Sequence, residues 1–271
     1  MRIDMKIFHT KLPIYATAIL CLFLLWGSQL NRDTSWYLIS TRWWLHGISL
    51  YEQISELNPP LAFYLTMPPV FIADRLGFDA TLMMQIYVLT IAVIALIWAR
   101  KILITSGEYT AAEVACLTLT ASIALMILPL ANFAQREHQM LLFTWPYIAM
   151  SLTARPEHSP MKAVFVGLFA ALGLALKPYF LFLPLFISLA QTTRARSLRP
   201  LFSTQNLTIL GFCILYVLAA RILHPAYFSK TIPQALFVYD AYNKDFWTVI
   251  SHIQSFLIFG LTVAILVVHF H

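Results

Sequence analysis

Three charged residues, Asp33, Glu137 and Lys177, stand at the edges of long apolar runs in this chain. Their types suit group transfer. A carboxylate within hydrogen-bond reach can take the proton of an acceptor hydroxyl. A lysine or arginine can neutralise a phosphate as it leaves with growing negative charge. In hydrocarbon each such charge costs about 2.5–3.5 kcal/mol even on lenient insertion scales, so their placement demands a reason. Asp33 follows the first apolar run directly, where the same carboxylate, or Thr34, would also cap a helix. Arg32 beside it adds a cation suited to phosphate. Between two later runs lies Gln135-Arg136-Glu137-His138. There Arg136 fits phosphate oxygens, while Gln135, Glu137 and His138 fit sugar or acceptor hydroxyls. Glu56, Asn58, Trp36 and Tyr37 are further candidates for sugar or acceptor contact. Lys177 closes another apolar run and precedes Pro178. Snorkelling to a membrane surface is its alternative task. His138 has no partner at metal-ligand spacing, so no metal site is expected.

The elements that must position these groups are membrane helices. Hydrophobic residues make up 60% of the 271 residues and charged residues 11%, with mean hydropathy +0.74. A soluble domain carries about 25% charged residues. The expectation is an all-α, polytopic membrane protein in one domain spanning 1–271. The net charge of +6 is not a nucleic-acid signature, because the basic residues cluster in short loops, where they set orientation. Cys21, Cys116 and Cys213 lie inside apolar stretches and form no disulfide or zinc framework. Arg2, Lys6 and Lys11 precede the first apolar run as in a signal peptide, but no small-x-small cleavage site follows. The run reads as an uncleaved first span with a cytoplasmic N-terminus.

Eight spans are expected, at about 14–30, 82–99, 112–129, 139–152, 163–176, 179–190, 207–223 and 247–268. Between the first two lies an aromatic-rich segment, 31–80, of the kind found at membrane interfaces. A helix over 34–46, ended by Gly47, is expected there. A second segment, 61–72, is preceded by Pro59-Pro60 and interrupted by Pro68-Pro69, and is short for a span. Laid in the interface, it leaves every basic loop on one side: Arg2/Lys6/Lys11, Arg100/Lys101, Arg155/Lys162 and Arg194/Arg196/Arg199. Asp33, Glu52, Glu56, Asp74, Asp79, Glu137, Asp240 and Asp245 then fall on the other. The chain stops at His271 directly after the last span, which fits a natural end or a truncation.

In order and topology, residues 14–190 resemble the C-type glycosyltransferase superfamily, membrane enzymes that use polyprenyl-phosphate sugars, such as protein O-mannosyltransferases and lipid A aminoarabinose transferases. Four elements carry the resemblance: Asp33 opening the first outer loop, the Gly47-x-x-x-Tyr51…Pro59-Pro60-Leu61 segment, the acidic loop with Glu137, and Lys177-Pro178. The resemblance implies that Asp33 is the catalytic base. It also implies that Lys177, Arg136 and Arg32 hold the donor phosphate. Inverting transfer would pass through an oxocarbenium-like transition state. The partners implied are a polyprenyl-phosphate sugar, membrane lipid and a glycan, lipid or protein acceptor; no cofactor is implied. The site would lie on the outer face of an inner or plasma membrane. Asn58 departs from the pattern, because lipid A enzymes often carry Lys before Pro-Pro. Two other classes fit the composition: a transporter or flippase of a lipid-linked sugar or other anion, and a non-catalytic assembly subunit.

Overall fold

An apolar run has to satisfy its own backbone polar groups, and a helix does so within one segment. The computed structural model describes residues 11–153, 159–241 and 248, and among them every regular element is helical. The α-helices are α1 (Leu12–Leu25), α2 (Arg32–Leu45), α3 (Leu61–Leu76), α4 (Ala80–Ser106), α5 (Ala111–Ser122), α6 (Arg136–Ser151), α7 (Pro160–Leu174), α8 (Phe182–Ala195), α9 (Thr204–Leu223) and α10 (Ile232–Ala241). The expected last span, with Asp245, and the basic Arg2, Lys6 and Arg155 lie outside the described residues, Thr248 apart.

Eight spans were expected, whereas two described helices are long and apolar enough to cross a membrane by length and composition, Ala80–Ser106 and Thr204–Leu223. Leu12–Leu25, Ala111–Ile127 and Pro160–Leu174 are apolar but shorter. The causes are local. Gly27, with φ +70°, follows α1. A π-turn over Ile123–Ile127 widens the end of α5, and Pro129 follows it. Pro178 opens a 3₁₀ turn, Pro178–Leu181, before α8. The segment expected at the interface over 61–72 is longer than expected: α3 runs to Leu76 with Pro68 and Pro69 inside it.

The helix ends follow ordinary capping chemistry. Asp79 caps α4 by accepting from the Leu82 amide at 2.8 Å. Thr110 and Glu113 form a reciprocal capping box at α5. Some hydroxyls inside the helices bond back to their own backbone, as Thr66 does to Ala62 and Thr118 to Val114, so these two add no unpaired group. Cys21 is buried and bonds the Met126 carbonyl, whereas Cys116 faces outward.

The helices pack in sequence from α9 through α7 and α6 to α4, and α4 in turn carries α1, α3 and α5. Two glycines set the spacing of α7. A Cβ on Gly173 would sit 2.8 Å from the Phe143 Cβ of α6, and one on Gly167 would sit 2.8 Å from the Gln205 carbonyl of α9. Helix α2 lies mainly on α3, pinned by Arg42, whose Nε and Nη2 reach the Asp74 carboxylate at 2.9 and 2.8 Å.

Candidate functional site

The N-terminus of α2 is capped by Asn31, whose side chain accepts from the Thr34 amide at 2.9 Å. Neither Asp33 nor Thr34 is the cap, contrary to the expectation, because the helix begins at Arg32 and Asn31 before it has the extended backbone a cap needs. Asp33 is therefore released from the structural task. It stands in the first helical turn, where the helix dipole favours negative charge, with its side chain 59% exposed.

The segment between α2 and α3 is organised around Glu56, a buried carboxylate. One oxygen accepts from the Trp36 indole N–H. The other accepts from the Leu57 and Asn58 amides, both at 2.8 Å, and from the Asn58 side-chain N–H. A buried acid needs this many donors to remain satisfied. The Tyr51 hydroxyl donates to the Asn58 carbonyl at 2.6 Å. With its amide nitrogen given to Glu56, Asn58 turns its oxygen toward the Arg136 guanidinium, which donates to it.

Arg136 arrives from the start of α6. The turn before it is strained: Ala134 holds φ +65°, a conformation that costs a non-glycine residue about 1–2 kcal/mol. His138 and Gln139 secure it. The His138 Nδ1 accepts from the Ala134 amide at 3.0 Å, and the Gln139 side chain donates to the Ala134 carbonyl at 2.9 Å. With Nδ1 accepting, the His138 Nε2–H donates to the Leu125 carbonyl at 2.7 Å, one of the carbonyls at the π-turn. Both ring nitrogens of His138 are thus committed inside the protein, which gives it a structural task in place of the hydroxyl contact expected of it.

Arg136 is buried. Its guanidinium lies 5.4 Å from the centre of the Tyr37 ring and 3.9 Å from the Asp33 carboxylate. Tyr37 is buried too, and its hydroxyl has no hydrogen-bond partner among the described residues. Burial pushes that hydroxyl well above the ordinary tyrosine range, with Arg136 opposing the shift, so it stays a donor.

Beside this network Lys177 forms an ion pair with Glu137. Lys177 is in extended backbone conformation at the entry to the 3₁₀ turn, and its ammonium lies 5.4 Å from the centre of the Tyr179 ring and 5.8 Å from that of Phe180. Burial raises the Glu137 pKa, but the Lys177 hydrogen bond and the charges of Lys177 and Arg136 outweigh it and hold the carboxyl below its ordinary value.

The structure therefore brings Asp33, Trp36, Tyr37, Glu56, Asn58 and Arg136 into one connected network, with Glu137 and Lys177 joined to it through the adjacency of Arg136 and Glu137. Two candidates stay apart: Arg32 is exposed on the first residue of α2, and Gln135 is half-buried at the N-cap of α6 without a side-chain capping bond. An open, mostly apolar groove of about 290 Å³ lies between the end of α1 and the π-turn, lined by Cys21, Leu25, Gln29, Met126, Ile127 and Ala131.

An aromatic cluster was not anticipated. The Tyr64 hydroxyl meets the His224 Nε2 at 2.9 Å, and Trp44, Tyr51 and Tyr64 surround the His224 ring at centroid distances of 5.5–5.8 Å. The Tyr216 hydroxyl accepts from the Leu61 amide at 3.2 Å. This cluster ties α9 to the start of α3. The aromatic density of 31–80 was visible in sequence, but its partners lie some 160 residues later and carry no local signal. No family model, curated protein or solved structure matches this chain.

Proposed function

We propose that this chain is an integral membrane glycosyltransferase that moves a sugar from a polyprenyl-phosphate donor to an acceptor hydroxyl on the outer face of an inner or plasma membrane. The observation that carries the reading is the meeting of Asp33 and Arg136: an exposed carboxylate with no capping duty, 3.9 Å from a buried, braced guanidinium. Asp33 takes the proton of the acceptor hydroxyl as that oxygen attacks the anomeric carbon. The bond from that carbon to the phosphate oxygen breaks, and the electron pair leaves with the lipid phosphate. Arg136 and Lys177 stabilise the negative charge that grows there. The unpartnered Tyr37 hydroxyl beside Arg136 is a further donor to the phosphate or the sugar. The prenyl chain runs along the apolar groove between α1 and the π-turn.

Membrane placement is supported by the surface as well as by composition. Large apolar side chains stand in the open, among them Phe23 at 77%, Leu215 at 68% and Ile222 at 78% exposed, far beyond the scattered apolar residues of an ordinary soluble surface. Eight spans with α2 and α3 in the interface remain our arrangement, in which the shorter apolar helices also cross the bilayer. Cysteine introduced at Glu52 or Glu137 should react with an impermeant reagent from outside, and cysteine at Arg196 should not; labelling of Arg196 from outside would refute the arrangement. The function is tested by incubating the purified protein with a polyprenyl-phosphate sugar. Release of polyprenyl phosphate with transfer of the sugar supports the enzyme, whereas intact donor moved across a vesicle membrane supports a transporter or flippase.

A further inference from the structure

Between α8 and α9 lies a groove of about 260 Å³. Its walls are apolar, with Leu181, Leu185, Leu201 and Leu210 among them, and its polar floor is Ser188 and Asn206. The floor is built rather than incidental. The Tyr147 hydroxyl donates to the Asn206 side-chain oxygen at 2.8 Å, and the Asn206 nitrogen donates to Ser188 at 2.7 Å and to the Pro200 carbonyl at 2.9 Å.

The charge of this stretch of sequence is lopsided, although Glu108 and Glu113, at the α4–α5 turn, act together with Arg194 on the Tyr109 hydroxyl. From residue 158 to residue 239 the sequence contains no Asp or Glu, and the turn that closes this groove carries Arg194, Arg196 and Arg199. All three are exposed. The same turn ends at Ser203, the extended residue that opens α9. Its side chain does not cap the helix, and its buried hydroxyl has no partner among the described residues, nor has that of Thr192 in the last turns of α8. The first amides of a 20-residue helix add partial positive charge at the same place.

We infer that the α8–α9 groove holds an anionic membrane phospholipid of the inner leaflet, with a stretch of acyl chain between the two helices and the headgroup phosphate at the Arg196–Ser203 turn. Charge complementarity selects the occupant. An apolar slot alone would take any acyl chain, but three arginines, two unpartnered hydroxyls and a helix N-terminus at one end select a negative headgroup. The inference rests on the membrane placement proposed above and is independent of the transfer chemistry. The lipid would brace α9, whose contact with the rest of the bundle is chiefly through α7.

The test is native mass spectrometry of the full chain in detergent, titrated with phosphatidylglycerol and, separately, phosphatidylcholine. One or more phosphatidylglycerol molecules should be retained in preference to phosphatidylcholine. The double variant Arg196→Gln/Arg199→Gln should lose that preference by about 25-fold, or about fivefold per arginine. Leu210→Trp, which fills the groove from its α9 wall, should lower retention of both lipids while the arginines remain. Equal retention of the two lipids by the unmodified chain, or a preference that both variants leave intact, would overturn the inference. A chain that stays dispersed after detergent removal would overturn the membrane placement itself.

Discussion

Arg136 and Lys177 are both cations at the candidate site, yet the protein holds them in opposite ways. Arg136 is buried, hydrogen-bonded to Asn58 and stacked on Tyr37, and Asn58 is itself fixed by Glu56. Lys177 rests on aromatic rings and is paired with Glu137, whose side chain is 49% exposed. A guanidinium with its geometry set in advance loses little on meeting a phosphate. An ammonium held by a half-exposed carboxylate can exchange that partner for a more highly charged one, because a solvent-screened pair is worth about 1 kcal/mol or less. On the proposed reading, Arg136 would serve fixed recognition and Lys177 a contact that forms when the donor arrives.

The largest effect on this comparison should come from the braced side. Arg136→Gln removes a charged hydrogen bond and a cation–π contact from a buried position, and about 2–3 kcal/mol of stability should go with them. Denaturant unfolding would measure the loss, and sugar transfer should fall to the background rate. If Arg136→Gln unfolds like the wild type, the bracing is not real.

A smaller and different effect is expected at Lys177. Lys177→Gln should leave the unfolding midpoint close to wild type but require about tenfold more donor for half-maximal transfer, the loss of about 1.4 kcal/mol of binding. Lys177→Arg should be partly impaired, since a planar fork does not replace a compact ammonium. A pure snorkelling role would leave Lys177→Arg silent.

The smallest effect is the pH dependence of the exchangeable pair. Glu137 is held below its ordinary pKa in the folded protein. Its contribution is therefore present above the unfolded value of about 4.3 and is lost as pH falls through the folded value. The melting temperature of Glu137→Gln should lie slightly below that of wild type near neutral pH and converge with it in acid. A gap that persists below the carboxylate range would mean the pair does not titrate as described.

Much of the architecture was legible because it follows from periodicity and punctuation. The two helices of 31–80 were legible because Gly47 and Pro59-Pro60 delimit them. Asp33, Arg136, Glu137 and Lys177 stood out because charge is scarce. What was hidden depended on contact across the fold. Asn31 and Asp33 are both good caps in sequence, and only backbone geometry chooses Asn31. Glu56 and Asn58 looked like hydroxyl ligands, yet their nearest task is to orient Arg136. His138 also looked like a hydroxyl ligand, but the strained Ala134 turn and the Leu125 carbonyl take both its nitrogens. The first and third apolar runs were expected to extend further than their helices, which stop at Gly27 and at the π-turn before Pro129, whereas α4 is longer than expected.

The proposed transfer depends on Asp33 acting as a base rather than as a surface charge. Asp33→Asn keeps size and polarity, and Asn31 continues to cap α2. The measurement is the single-turnover rate of sugar transfer from a polyprenyl-phosphate donor by Asp33→Asn protein whose unfolding midpoint matches wild type. The rate should be about 10²–10⁴-fold below wild type with donor binding retained. Transfer at the wild-type rate would contradict the base role.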